Sequence, residues 1–203
     1  MKKVSILSYG IGNIKSVERA FKSIGASTEL IKEPSKIYSA DRIILPGVGA
    51  FSACSKALKS QNLWEPILDF FKLERPFLGI CVGMQLLFEY SEEFGRNKGF
   101  GIIPGSVSLL PTQSNRKIPF IGWSKSYFQS NNKFFGDKFS KQYYFVHSYS
   151  GKCLDETNLM SFYKYGNSEV TSSICKNNII GTQFHPEKSG NSGLQFLKKF
   201  IEI

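Results

Sequence analysis

Short apolar segments that alternate with helical patterns most strongly constrain the fold of this chain. The segments VSILS, STELI, RIILP and PFLGI are interspersed with helical patterns over residues 13–24, 52–58 and 63–73. Buried strands that alternate with helices are joined by right-handed crossovers and form a parallel sheet. We therefore predict an α/β fold with an open, mostly parallel sheet flanked by helices.

The second half of the chain has a different pattern. After Gly105 the sequence consists mainly of strand-like pieces, namely SVSLL, KIPFIGW, YYFVHSY, NLMSFYKY, EVTSSIC and NIIGTQFH, before a closing helix over 193–202. These pieces predict an antiparallel extension of the sheet. Because the sequence shows no repeat or linker, we expect residues 1–203 to form a single domain around one core.

Composition argues against several classes of function. The net charge is +10, but no run of Lys and Arg exceeds two residues, so a solvated surface explains the charge better than nucleic-acid binding does. An acidic protein partner is a lesser alternative. No apolar run approaches the ~20 residues that span a bilayer, and the opening segment lacks a signal-peptide core. We expect a cytoplasmic protein that binds neither nucleic acid nor membrane.

Cofactor-binding patterns are weak. The four cysteines are scattered without zinc-site spacing, and His147 and His185 are the only histidines. The motifs Gly10-x-Gly12 and Gly47-x-Gly49 follow predicted strands, but both lack the third glycine of a dinucleotide-binding fingerprint. We therefore expect no metal and no nucleotide cofactor.

The stretch PFLGICVGMQLLFEY places Cys81 where a predicted strand becomes a predicted helix, MQLLFEY. Gly79 and Gly83 flank Cys81 with the spacing of a nucleophile elbow. Such a bend would expose the sulfur, and the positive end of the following helix would favour the thiolate. The N–H of Val82 could then receive an oxyanion. An inert buried cysteine is the alternative, and the two glycines favour the nucleophile.

A catalytic thiol needs a base, and His185 lies at the end of an apolar strand in GTQFHPEKSG. Because residues i and i+2 of an extended chain project to the same side, Glu187 can orient His185 as the third member of a triad. His147 has no acidic neighbour in sequence, so we interpret it as a strand-end histidine or a minor ligand contact. The alternative for HPEKSG is a turn that only leads into the last helix.

Several motifs together resemble those of the class I glutamine amidotransferases, whose fold is flavodoxin-like. LPGVGAF, GICVGMQLLFEYSEE and QFHPEKSG carry the resemblance, and SYGIGNIKSV, GWSKS and YFVHSY extend it over nearly the whole chain. More narrowly, the chain resembles the glutaminase subunit of imidazole glycerol phosphate synthase, which acts in histidine biosynthesis. The resemblance implies hydrolysis of L-glutamine to glutamate and ammonia, without a cofactor.

The resemblance also implies a role for individual residues. Cys81 is expected to be the nucleophile, His185 the base and Glu187 its orienting acid. The other implied positions are Val82, Gly47, Val48 and Gly49 for the oxyanion hole, Gln85, Ser148 and Tyr149 for glutamine binding, and Trp123, Tyr144 and Lys188 for the partner interface. The implied partner is a (β/α)8-barrel cyclase subunit that receives the ammonia in a heterodimer.

The chain departs from the family pattern at Phe120 and Ser124, in PFIGWS, where His and Asn are usual. We expect both residues to lie by the docking face rather than in the triad. They leave an alternative in which the ammonia serves another synthase, for example one for surface sugars. A catalytically idle interaction module and a cysteine protease or general hydrolase are further alternatives, which the intact triad and the amidotransferase motifs disfavour.

Overall fold

The computed structural model describes residues 2–112 and 117–203, and strands alternate with helices over the first half as predicted. The strands are β1 Lys3–Leu7, β2 Ser27–Ile31, β3 Ile43–Gly47, β4 Phe77–Cys81, β5 Phe88–Ser91, β6 Asn97–Lys98, β7 Ile103–Leu109, β8 Phe120–Phe128, β9 Gln142–His147, β10 Tyr149–Cys153, β11 Leu159–Tyr165, β12 Ser168–Lys176 and β13 Ile179–Thr182. The α-helices are α1 Ile14–Ser23, α2 Phe51–Ser60, α3 Trp64–Lys72, α4 Val82–Gln85 and α5 Gly190–Glu202. None of the described helices is long and apolar enough to cross a membrane.

The main sheet has nine of the described strands, in the order β2-β1-β3-β4-β13-β12-β11-β8-β9. Neighbouring strands are parallel from β2 to β13. They are antiparallel from β13 to β9. Strands β3, β4 and β13 are buried along their whole length, as expected of parallel strands covered on both faces. The α/β class and the antiparallel extension are therefore confirmed. The main sheet is mixed rather than mostly parallel, and β13, from the segment NIIGTQFH predicted for the extension, is parallel to β4.

A second, smaller sheet was not predicted. It has the order β10-β7-β5-β6, and it forms because the segment YYFVHSY divides at Ser148 instead of continuing as one strand. Residues before the break pair with β8 in the main sheet, whereas Tyr149 pairs with Leu109 of β7. The break turns the backbone at Ser148 and Tyr149 towards the end of β4.

The predicted helix MQLLFEY was wrong. Helix α4 ends at Gln85, and strand β5 begins at Phe88. The carbonyl groups of Leu86 and Leu87 accept hydrogen bonds from Phe100 and Ile102, in the segment before β7, and so are withdrawn from a continuing helix. Met84, Leu86 and Leu87 are wholly buried, so this apolar run has no polar face to present to solvent as a longer amphipathic helix would.

Candidate active site

Cys81 lies on a strained bend between β4 and α4. Its φ is 56° and its ψ is −111°, a region that costs a residue with a side chain about 1–3 kcal/mol. The flanking glycines allow the close packing that holds the bend. A Cβ atom at Gly79 would lie 2.4 Å from the carbonyl oxygen of Gly83, and one at Gly83 would lie 2.0 Å from that of Leu45. The Gly-x-Cys-x-Gly spacing therefore forms a sharp strand-to-helix elbow.

Helix α4 contributes less charge stabilisation than the predicted longer helix would. It has only four residues, so few peptide dipoles add along its axis. Its first residue, Val82, still has an N–H that the helix itself cannot satisfy. Gly47 pairs with Cys81 in the register of β3 and β4, so the loop through Val48 and Gly49 begins beside the elbow. The four residues predicted for the oxyanion hole therefore surround the cysteine.

His185 and Glu187 form a buried pair. Nδ1 of His185 is 2.8 Å from Oε1 of Glu187, and the side chains are only 3% and 1% exposed. Strand β13 ends at Thr182, earlier than predicted, and Pro186–Lys188 is a one-turn 3-10 segment that turns Glu187 back onto the imidazole. The backbone N–H of His185 donates to the carbonyl oxygen of Tyr144 at 2.9 Å, which holds the segment against β9.

The imidazole of His185 is held in its charged form. Burial opposes protonation, but the Cys81 sulfur and then Glu187 outweigh that effect and raise the pKa of His185 to about 10. Nε2 makes no well-formed hydrogen bond to any described residue, so the influence of Cys81 acts across a loose contact. Catalytic hydrogen bonds are often loose in a free enzyme and tighten when substrate binds.

His147 has a different environment. Its Nδ1 lies 2.9 Å from the carbonyl oxygen of Tyr149, and its Nε2 lies 2.9 Å from the hydroxyl of Tyr163. Burial is the main cause that lowers the pKa of His147 to about 4. Because both ring nitrogens have protein partners and the ring is neutral, His147 is poorly suited to act as a general base.

A cavity of about 280 Å³ opens at the elbow. It is lined by Val48, Gly49, Cys81, Val82, Gln85, Glu93, Pro119, Val146, His147, Ser148, Tyr149 and His185. The structure therefore brings most of the predicted site residues to one cavity. Gly47 lies at the buried end of β3, and Glu187 lies behind His185. In the described part of the chain, no three His, Cys, Asp or Glu side chains are grouped as a metal site would require.

Sequence reasoning missed Gln183, which lies beside the sulfur, and Glu93, which lines the cavity. The side chain of Gln183 is wholly buried, and its amide nitrogen donates to Cys81 Sγ at 3.6 Å. Since Gln183 precedes His185 by two residues, the same alternation that selected Glu187 could have found it. Glu93 lines the cavity and accepts a hydrogen bond from the N–H of Phe51 at 2.7 Å, and no motif in the sequence indicated it.

The residues predicted for the partner interface lie at the surface around β9, an edge strand of the main sheet. Trp123 is 54% exposed and contacts Tyr144, with 5.9 Å between ring centroids. Ile121, also on β8, is 60% exposed. Lys188 is exposed on the 3-10 segment that follows His185. Together these side chains make an apolar surface with a positive charge nearby.

Phe120 and Ser124 lie on the other face of β8 from Trp123, because successive side chains of a strand point to opposite faces. The expectation that they lie by the docking face stays a prediction. The ring of Phe120 stacks on that of Tyr163, with 5.4 Å between centroids, and lies edge-on to His147 at 6.2 Å. The departure at Phe120 thus alters aromatic packing behind the cavity.

Comparisons with known proteins point to one family. The family model for glutamine amidotransferase class-I matches residues 5–203. The imidazole glycerol phosphate synthase subunit HisH of Sulfurimonas denitrificans is 41% identical, over 98% of this chain and 97% of its own length. The chloroplastic imidazole glycerol phosphate synthase hisHF of Arabidopsis thaliana is 40% identical over 98% of this chain, a match that takes up 34% of that protein.

Solved structures support the fold. A structure described as PurLQS from Thermotoga maritima has a TM-score of 0.76 and 19% identity, over 100% of this chain and 99% of the matched one. A structure described as a glutamine amidotransferase also has a TM-score of 0.76, with 14% identity over 98% of this chain and 99% of the matched one. Because the family model matches residues 5–203, which are almost the whole chain, the chain belongs to the class I glutamine amidotransferases.

Proposed function

We propose that this chain is a glutaminase subunit that hydrolyses L-glutamine and supplies ammonia to a synthase partner. The observation that carries the proposal is the position of Cys81 on a strained elbow at the cavity. His185 lines the same cavity and is paired with the buried Glu187. A nucleophile, a proton carrier and an orienting acid in one cavity are what acyl transfer requires.

In the first half of the reaction, the Cys81 thiolate attacks the side-chain carboxamide carbon of glutamine. The carbonyl oxygen becomes an oxyanion that the Val82 N–H and backbone of residues 47–49 stabilise, at roughly 3 kcal/mol per donor. The imidazolium of His185 then gives its proton to the departing nitrogen, and the C–N bond breaks. Ammonia leaves, and the glutamyl group remains on sulfur as a thioester.

In the second half, water attacks the thioester carbon while neutral His185 accepts a proton from it. The C–S bond breaks, glutamate leaves, and the thiolate and imidazolium are restored. Glu187 accepts the hydrogen bond from Nδ1 of His185 and keeps that nitrogen protonated, so that Nε2 faces the reacting atoms. Gln85, on α4, and Ser148 and Tyr149, at the break between β9 and β10, line the same cavity and would hold the amino-acid end of glutamine.

We further propose that the partner is the (β/α)8-barrel cyclase of imidazole glycerol phosphate synthase, in the cytoplasmic synthesis of histidine. Relatives with that name are about 40% identical over nearly the whole chain, and the longer Arabidopsis relative has room for a second catalytic unit in the same polypeptide. The surface around Trp123, Tyr144 and Lys188 would dock the partner. Phe120 and Ser124 face away from that surface, so they give no reason to prefer another synthase. On this proposal residues 1–203 act as one glutaminase domain.

The experiment is a change of nucleophile in the reconstituted pair. Cys81→Ser alters one atom, and its hydroxyl ionises far less readily than a thiol, so glutamine-dependent synthesis should fall by at least 1,000-fold, roughly the cost of losing an activated nucleophile. Synthesis from added ammonium at alkaline pH should persist, because the partner's chemistry is intact. Loss of both activities would indicate that Cys81 supports the interface. Retention of both would refute its role as nucleophile.

A further inference from the structure

Gln183 lies beside the reactive cysteine because of strand register. Strand β13 is parallel to β4, and Thr182 pairs with Ile80, so the next residues along the two strands, Gln183 and Cys81, are neighbours. The side chain of Gln183 is wholly buried. Its amide Nε2 donates to Cys81 Sγ at 3.6 Å, and its Oε1 accepts a hydrogen bond from Nε2 of Gln85 at 3.0 Å.

This amide pair belongs to a longer buried chain of hydrogen bonds. Nε2 of Gln85 also donates to the carbonyl oxygen of Tyr149 at 2.9 Å. The same carbonyl oxygen is 2.9 Å from Nδ1 of His147, whose Nε2 is 2.9 Å from the hydroxyl of Tyr163. The chain thus runs from Tyr163, in the antiparallel part of the sheet, to the Cys81 sulfur.

The direction of every bond in this chain is determined. A carbonyl oxygen can only accept, so both His147 Nδ1 and the Gln85 amide must donate to Tyr149. With Nδ1 protonated and the ring neutral, Nε2 of His147 is an acceptor, and the hydroxyl of Tyr163 must donate to it. The same NH2 group of Gln85 also donates to Gln183, so the side-chain oxygen of Gln183 must be the acceptor. The NH2 group of Gln183 is therefore left facing the sulfur.

We propose that Gln183 stabilises the Cys81 thiolate by holding an N–H donor on the sulfur, in an orientation fixed by the chain through Gln85 and Tyr149. A hydrogen bond donated to the charged form of an acid favours that form. This donor supplements His185, and it supplies stabilisation that the single turn of α4 provides only weakly. The inference rests on the proposed function only in that Cys81 is the nucleophile.

The test is Gln183→Glu, which replaces the NH2 group by an oxygen and keeps an acceptor for Gln85. The rate of Cys81 alkylation by iodoacetamide is measured from pH 6 to 10 on the intact protein, with the label located by mass spectrometry. We expect the midpoint of the alkylation pH profile to move up by about one pH unit, since removing one N–H bond to an ionised group changes its ionisation constant about tenfold. Below the wild-type midpoint the variant should therefore react about tenfold more slowly. Because Gln183→Glu also adds a charge beside the sulfur, the shift to higher pH is assigned to loss of the donor only if the uncharged Gln183→Leu shifts in the same direction.

Two further variants keep the test decisive. Gln183→Leu removes the donor without adding a charge, so it should be slowed less than Gln183→Glu, and it carries the test if the glutamate variant does not fold. Gln195→Glu makes the same chemical change in α5, beside Lys141, and should alkylate at the wild-type rate. His185, Tyr9 and Cys54 interact electrostatically with Cys81, and His147 and Glu93 line the same cavity; all of these groups are unchanged in these variants.

The result that overturns the inference is a folded Gln183 variant that alkylates within twofold of wild type with an unshifted pH profile. Folding is checked independently by the thermal unfolding midpoint. Because iodoacetamide replaces glutamine and no partner is present, the readout does not depend on glutaminase activity. If the protein fails to hydrolyse glutamine but the alkylation rate of Cys81 still depends on Gln183, the proposed function is refuted and this inference stands.

Discussion

Replacing Cys81 by alanine should change the charge of His185, and this gives a direct test of the site's electrostatics. In the wild-type protein the pKa of His185 is about 10, whereas an ordinary histidine has a value near 6.5. The difference corresponds to roughly 5 kcal/mol in favour of the charged imidazole. Burial alone would act in the opposite direction, and Cys81 is the larger of the two side-chain influences that overcome it.

The expected result is loss of the charge at neutral pH. In Cys81→Ala only Glu187 still favours the imidazolium, against the full cost of burial, so the pKa of His185 should fall from about 10 to below neutral pH. Glu187→Gln should lower it by less, because Glu187 is the smaller influence. The free energy of unfolding at neutral pH should also fall more in Cys81→Ala than in Glu187→Gln. A raised pKa stabilises the folded state fully below pH 6.5, and this contribution is lost as pH rises through about 10.

The assay is NMR of protein labelled with ¹⁵N-histidine. The chain has only two histidines, so each variant gives two imidazole signals to follow from pH 4 to 10. His147 is an internal reference, since its pKa of about 4 keeps it neutral over most of that range. A neutral His185 in the wild type at pH 7, or an unchanged titration of His185 in Cys81→Ala, would refute the argument that the Cys81 sulfur holds His185 in its charged form.

Two packing predictions follow from the same structure. Gly83→Ala places a Cβ atom 2.0 Å from the backbone oxygen of Leu45, which cannot rotate away, so we expect about 3 kcal/mol of destabilisation in urea unfolding and loss of glutaminase activity. Gly136→Ala, with 3.8 Å to its nearest neighbour, should be nearly neutral, and equal effects of the two changes would contradict the elbow argument. Phe120→Ala should lower the free energy of unfolding in urea by about 2 kcal/mol, because it removes a ring stacked on Tyr163. Ile121→Ala, at an exposed position, should lower it by less than about 0.5 kcal/mol.

Sequence patterns predicted the buried strands because burial there is complete, but they placed NIIGTQFH in the antiparallel extension, whereas its strand β13 is parallel to β4. Strands β3, β4 and β13 are covered on both faces, and such strands appear in a sequence as continuous apolar runs between turns. The run MQLLF is equally apolar, and local propensity could not distinguish a helix from a buried connection. The deciding hydrogen bonds come from residues 100–103, and a sequence pattern does not show which distant N–H groups will reach a carbonyl.

The sequence predicted those parts of the candidate site whose residues lie close together along the chain. Two glycines mark the elbow at Cys81, and the spacing of His185 and Glu187 places the acid beside the base. The partners of Gln183 are 98 and 102 residues away in sequence, and no spacing rule connects them. The face of β8 on which Phe120 lies was also missed, although the alternation of exposed and buried residues along the strand indicates it.

The position of the cavity follows from a change in strand direction within one sheet. Strands β3, β4 and β13 are parallel neighbours, so their carboxyl ends bring Gly47, Cys81 and the segment from Gln183 to His185 to the same edge. The antiparallel part of the chain leaves the main sheet at Ser148 and supplies the opposite wall of the cavity at Tyr149. Groups that take part in the proposed chemistry thus come from the parallel half, and of the groups that would position the substrate, Ser148 and Tyr149 come from the other half. A substitution in the antiparallel part, such as one at Tyr163, should therefore raise KM or loosen the amide chain before it affects the proton transfers at His185.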